Sequence, residues 1–370
     1  MYFHIILTER CNSQCRYCYA KSQKEFGKKI EKFDFDFSSP CNSKLNAQEL
    51  KKFISKDKDP HIIFYGGEPL LKIEKIKEIM DALPDVKYYM QTNAKLLEKV
   101  PKEYMDKFEK ILISIDGNKE RTDFNRGKGT YDLIMKNLKL IRQNGFKGEV
   151  VARMTISFSD GFTDLTKQVK HLLEIFNSVH WQLDMGFYES DYNYKQVQNF
   201  IEEYNKEVSK LIDYWVEEMK KGKVWKIYPL LGIFESIYKN KKTKLRCGSG
   251  YANYTITTNG KIVACPITSC IKDFQVGDIK DSNPNKLKEL PIIEPCLSCD
   301  YFNLCGGRCL YSNRAKLWPP EGENQICNTI KHLIDEIKKR TPEIKQLIEK
   351  GIVKEKDFEF EKYFGPEIIP

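Results

Sequence analysis

The chain has 370 residues, 41% of them apolar, and its 61 basic and 52 acidic side chains leave a net charge of +9. That length allows one large domain and a smaller one, each with its own core; the lack of any apolar run of about 18 residues excludes a membrane-spanning helix. Lysine dominates the charge and sits beside glutamate along helical stretches, which reads as a solvated, ion-paired surface, and without an arginine-rich block or an RNA-binding signature no nucleic-acid partner is expected.

Taken in chain order, the first half alternates strand and helix signals. Short β-rich runs fall at residues 3–7, 61–64, 87–91, 111–115, 150–156 and 180–185. Helical patterns lie between them at 47–54, 73–83, 102–108, 131–144 and 164–176. The first run lacks the basic flank of a secretory signal, so a cytoplasmic protein is expected. Six strand–helix repeats predict an α/β fold, a partial (β/α)6 TIM-type barrel over residues 1–190 with chemistry at the C-terminal strand ends. Residues 21–43 are polar and aperiodic, and read as a loop over the barrel mouth. A helical bridge follows over 191–244, with its long helix at about 194–221. From 245 to 333 the texture turns to cysteine, glycine and proline, with strands at 254–257 and 261–264 around an Asn259-Gly260 hairpin turn. Residues 334–370 complete a charged helix (329–350) and end in a polar–aromatic tail.

Twelve cysteines are clustered: three at 11–18, one at 41, eight at 247–327. In a reducing compartment such clusters suggest metal rather than disulfides. Cys11, Cys15 and Cys18 form C-x3-C-x2-C directly after the first strand. Three thiolates on one loop can hold three irons of a [4Fe–4S] cube and leave the fourth open, as a catalytic site requires. A zinc loop with a distant fourth ligand is the other reading of the same residues.

This motif, with Tyr17 before its last cysteine, resembles that of the radical S-adenosylmethionine (SAM) superfamily. The resemblance implies that the open iron chelates SAM and that a 5′-deoxyadenosyl radical takes hydrogen from a substrate. It also implies that Gly66, Gly67 and Glu68 hold the SAM amino group. Asn93 lies where relatives often carry TNG, here with Ala94 in place of the glycine. Ser114 and Asp116 look like the ribose-contacting stretch, and Arg126 like the arginine that pairs with the SAM carboxylate.

The later cysteines run Cys247, twelve residues, Gly260, four residues, Cys265; then Cys296-x2-Cys299-x5-Cys305-x3-Cys309; then Cys327. Alone, Cys296-x2-Cys299 would suit zinc. The whole run resembles the SPASM extension of radical SAM enzymes, a small cysteine-rich domain with a β-hairpin and helices. That resemblance implies two auxiliary [4Fe–4S] clusters, so three clusters and about twelve irons in all. Cys296, Cys299, Cys305 and Cys327 would hold the outer one, Cys247, Cys265 and Cys309 the inner one. For the inner fourth ligand the sequence offers Cys270; an open iron filled by a substrate thiolate is the alternative. Cys41 reads as an ordinary thiol near the mouth.

SPASM relatives mostly modify peptides or proteins, which implies oxidative crosslinking or a related change. A metabolite dehydrogenase or cofactor-maturing enzyme, an RNA-modifying enzyme and a non-catalytic iron–sulfur protein are the alternatives. Sulfatase-activating relatives place an aspartate after the inner cysteine; here Pro266 follows Cys265, which disfavours that subtype. The first strand begins at residue 3, so leader-peptide binding is expected from a separate protein, from residues 270–290 or from the tail. A ferredoxin or flavodoxin would supply electrons. Among residues at strand ends, Asp184 is the candidate general base; Arg153, Thr155 and Gln182 are candidate substrate contacts.

Overall fold

The computed structural model describes residues 1–19, 28–161, 163–365 and 369–370. Six parallel strands form the barrel wall: β1 (Tyr2–Ile6), β2 (His61–Tyr65), β3 (Lys87–Thr92), β4 (Phe108–Ser114), β5 (Glu149–Ser157) and β6 (Ser178–Asp184). The helices between them are α1 (Ala47–Ile54), α2 (Ile73–Ala82), α3 (Lys102–Met105), α4 (Lys119–Arg126), α5 (Thr130–Gln143) and α6 (Leu165–Leu173). Alternation along each strand separates two environments. Phe3 and Ile5 of β1, Ile62 and Phe64 of β2, and Ile111 and Ile113 of β4 are fully buried under the helices. The residues between them point into the barrel, and the polar ones among them are what the barrel can use.

The wall does not stop at the sixth strand. Strand order is β6-β5-β4-β3-β2-β1-β7-β8-β9. β7 (Asn253–Ile256) runs parallel to β1, while β8 (Lys261–Val263) and β9 (Gln275–Asp278) turn back antiparallel. The hairpin of the cysteine-rich region therefore extends the barrel sheet. Gly260 supplies the turn with a φ of +90°, a backbone state that side-chain-bearing residues rarely adopt.

Two long helices cover the remaining apolar face. α7 (Tyr194–Lys220) and α11 (Pro320–Glu349) pack along one another. Between them in sequence come α8 (Tyr228–Tyr238), α9 (Phe302–Cys305) and α10 (Leu310–Ala315). Pro320 starts α11, where a missing N–H costs nothing, so the helix begins well before Thr329 and includes Cys327. α8 carries no amphipathic signal because eight of its eleven residues are buried; a helix apolar on all sides has no period to read. The expected helix at 102–108 is cut to α3, because Phe108 is drawn into the core as the first residue of β4. Of the expected mouth loop, residues 21–27 lie outside the described residues; beyond them Phe35 bridges to Ile271 and Asn42 to Thr8.

The barrel is closed at its N-terminal end. Phe364 is buried among Ile63, Tyr89, Leu112, Val151 and Tyr228. Beside it, Glu361 accepts hydrogen bonds from Tyr2 (2.8 Å) and Tyr89 and pairs with Lys110 at 3.1 Å. Among the described residues no helix is long and apolar enough to cross a membrane.

Candidate active site

The loop that carries Cys11, Cys15 and Cys18 is fixed by the turn after β2. Gly67 N–H donates to the Thr8 carbonyl (2.7 Å) and Glu68 N–H to the Arg10 carbonyl (2.8 Å). The approach is so close that a Cβ on Gly67 would lie 2.2 Å from the Arg10 oxygen, and one on Gly66 2.4 Å from that of Thr8. Only glycine fits there. Asn93, at the end of β3, holds the same loop from the other side: its Nδ2 donates to Asn12 Oδ1 (2.7 Å) and Ser13 Oγ (3.2 Å), and lies 3.8 Å from Cys11 Sγ. Ala94 adopts a φ of +62°, a conformation that residues with a side chain rarely take.

Glu68 is buried, and its carboxylate accepts from Thr92 Oγ1 (2.7 Å), Leu70 N–H (3.0 Å) and Asn93 N–H (2.8 Å). Burial pushes its carboxyl up to about 7, against the pull of those hydrogen bonds. Ser114, Tyr17 and Arg126 face the same space. Asp116 does not. It is fully buried behind them, gripping Arg126 through two bonds of 2.9 Å and accepting from the Tyr17 hydroxyl and from Thr155 N–H (3.0 Å). Its role here is to orient Arg126 and Tyr17, since a carboxylate and a guanidinium fit as paired forks.

The remaining cysteines gather as two sets. The thiol of Cys265 is held high first by burial, then by the charges of Cys309 and Cys247. Burial and then the charges of Cys305, Cys327 and Cys299 push Cys296 up to about 12. The thiols of Cys247, Cys265 and Cys309 therefore share one neighbourhood, and those of Cys296, Cys299, Cys305 and Cys327 another. Cys270 is buried in a small apolar core with Ile271 and Phe274, against which Cys247, Cys265 and Cys309 also pack, but it does not line the cavity that those three border, and the charges acting on its thiol are those of Glu9 and Asp36. Cys41 is exposed, and its carbonyl accepts from Glu9 N–H at 2.8 Å.

One cavity of about 290 Å³ joins these parts. Cys11, Cys15 and Cys18 border it, and so do Cys247, Cys265 and Cys309. Asp184 lines it from β6, its carboxyl pushed up to about 7 by burial and then by Asp191 and Asp160. Arg153 reaches Gln182 Oε1 (2.8 Å) and the Gly365 carbonyl (3.0 Å) at its floor. The sequence reading missed His4, Tyr65, Ser249 and Arg308, all of which line this cavity. His4 and Tyr65 had a signal: polar groups at inward positions of apolar strands.

Residues 5–174 match the Radical SAM superfamily. Over 94% of this chain and 99% of the other, the fold superposes on native anSMEcpe with bound AdoMet, with a TM-score of 0.71 at 18% identity. Residues 5–174 are a radical SAM domain, and the fold of the chain is that of anSMEcpe. A second structural likeness of this radical SAM enzyme is Streptococcus suis SuiB bound to precursor peptide SuiA, with a TM-score of 0.55 at 16% identity over 86% of this chain and 74% of that one. In sequence it is 22% identical to the cysteine-type anaerobic sulfatase-maturating enzyme of Clostridium perfringens over 88% of this chain and 92% of that one. It is 23% identical to the radical SAM cyclopropyl synthase TigE of Paramaledivibacter caminithermalis, over 83% and 67%.

The donor sets suit the clusters of such an enzyme. Each is all thiol, the preference of iron–sulfur clusters. Among the described residues no three Cys, His, Asp or Glu side chains converge tightly enough for a single ion. The raised thiols mean that loading releases protons.

Proposed function

We propose that this enzyme oxidatively modifies a peptide or protein side chain within the cavity between its two inner thiol sets. The observation that carries this reading is that Cys11, Cys15 and Cys18 on one side and Cys247, Cys265 and Cys309 on the other border a single cavity. In this reading Cys11, Cys15 and Cys18 hold the SAM-binding [4Fe–4S] cluster, Cys247, Cys265 and Cys309 the inner auxiliary one, and Cys296, Cys299, Cys305 and Cys327 the outer one. When bound, SAM and the clusters supply the adenosyl radical and accept the electron that substrate gives up.

The chain's own residues do the positioning. Glu68 receives the SAM ammonium, Arg126 its carboxylate, and Ser114 and Asn93 lie beside it. Asp116 keeps the Arg126 fork aimed, and the Gly66-Gly67 turn locks the cysteine loop to the barrel. Asp184, poised near neutrality, is assigned to acid–base work on substrate, for which such a value is suited. SuiB and anSMEcpe have been solved with peptides bound, which favours a peptide over a free metabolite here. A low-potential ferredoxin or flavodoxin would deliver electrons, and a separate protein could present a leader.

The test is mass spectrometry of anaerobically reconstituted enzyme with SAM, a low-potential reductant and synthetic peptides encoded beside its gene. A peptide that loses two hydrogens supports the reading, and fragmentation places the new bond. SAM cleaved to 5′-deoxyadenosine with every peptide unchanged would instead turn the assignment toward a metabolite.

A further inference from the structure

The oxidation proposed above has an unassigned proton. Removing two hydrogens from a substrate sends one to the adenosyl radical as a hydrogen atom. The second must leave as an electron, taken by an iron–sulfur cluster, and a proton, taken by a base. Pro266, which follows Cys265 on the cavity wall, has no group that can take that proton. Asp184, its carboxyl raised to about 7 chiefly by burial, is shared between protonated and ionised forms at neutral pH and fits either direction of proton transfer.

His4 enters the cavity from β1. Its neighbours Phe3 and Ile5 are fully buried on the other face, so strand alternation sends the imidazole inward. A network fixes its tautomer. Asn253 on β7 donates its Nδ2 to the Tyr363 carbonyl (2.5 Å), which leaves Oδ1 as the acceptor facing His4 Nδ1 at 2.8 Å. Nδ1 must therefore carry the hydrogen, and Nε2 keeps its lone pair. Among the described residues Nε2 has no hydrogen-bond partner, and it is not sealed in the protein; it opens on the cavity. Tyr65 packs against the ring edge-to-face, with centroids 5.4 Å apart.

We propose that His4 Nε2 is the proton acceptor of the reaction, an assignment that rests on the oxidative reading above. The surroundings keep it ready. Burial, opposed by the Asn253 hydrogen bond and aided by the nearby Arg153 charge, lowers the imidazole to about 4, so it is neutral and able to accept at physiological pH. A base this weak suffices for a hydrogen beside a radical carbon, because loss of the electron makes that proton strongly acidic. Beyond Arg153, the titratable group packed on the ring is Tyr65, a phenol raised by burial, which stays neutral over the same range.

Two measurements test this. Diethyl pyrocarbonate acylates only an accessible, unprotonated ring nitrogen. At pH 7 the loaded enzyme should be acylated at His4, as located by peptide mapping; an unreactive His4 beside other reacting histidines overturns the assignment. The second is His4→Asn, whose amide nitrogen can replace Nδ1 toward Asn253 while Nε2 is lost. With the peptides named above, 5′-deoxyadenosine should still form and iron content stay unchanged, while oxidised peptide falls about 100-fold or more. His4→Asn forming product at the wild-type rate sinks His4 but leaves the oxidative reading intact. Loss of 5′-deoxyadenosine together with product would make His4 a SAM-site residue and also overturn it. Wild type that cleaves SAM yet oxidises no peptide strikes the peptide reading, and the acylation result then decides His4 by itself.

Discussion

The guanidinium of Arg126 grips the carboxylate of Asp116 through two hydrogen bonds of 2.9 Å, and both groups are buried. Neither could sit there alone, because an unpaired buried charge costs several kcal/mol. Asp116→Asn should therefore destabilise the fold by about 3–5 kcal/mol and weaken SAM binding. Arg126→Lys should keep the charge but lose the fork, and so cost affinity more than stability. Urea denaturation with SAM titration separates the two. Equal stability of Asp116→Asn and wild type would show that the pair carries no load.

Gly67 is the contact between the cysteine loop and β2. Gly67→Ala drives a methyl to within 2.2 Å of the Arg10 carbonyl, and backbone on both sides leaves no easy escape. The loop should shift, and iron should fall by about four per chain while the C-terminal sites stay loaded. Full iron in the variant would mean that the loop is held elsewhere.

Asp184 gives the pH dependence a sign. Its carboxyl sits near 7 in the folded chain against an ordinary 3.8. Below about 4 both folded and unfolded chains hold the proton. From there to about 7 only the folded chain does, so its share of stability is lost as pH rises across that window, at up to ~1.4 kcal/mol per pH unit. Asp184→Asn should remove this slope and be the more stable protein at pH 8. Denaturation midpoints at pH 5, 6.5 and 8 measure it, and an unchanged slope would assign the effect to other groups.

Cys270 was the sequence candidate for the inner fourth ligand, and the structure does not bring it to the cavity. Cys270→Ala should keep its iron and lose stability modestly, as deletion of a small buried group does. A loss of about four irons per chain would restore it as a ligand through a movement on loading.

Much of this was legible beforehand. Strand–helix alternation gave the barrel, because it is a local pattern repeated in order; the interleaved thiol sets came only from the family resemblance that the cysteine spacing carries. What escaped was decided by partners far away in sequence. Nothing near Asn253 says that β7 will lie along β1. Helix α8 is too uniformly apolar to show a face. Asp116 looked like a ligand contact because its motif sits at a strand end; the side chain instead turns inward to Arg126, ten residues on. His4 was readable from the alternation of β1 alone, but its tautomer needed Asn253 and Tyr363.

Phe364 stops the lower end of the barrel, wedged among residues from β2 to β5 and α8. It is also made after everything it plugs. Until residue 364 clears the ribosome, the barrel is an open tube whose floor, including the Gly365 carbonyl that steadies Arg153, does not exist. The order of synthesis thus sets the floor after the wall: the lumen closes only when residues 364 and 365 have been added.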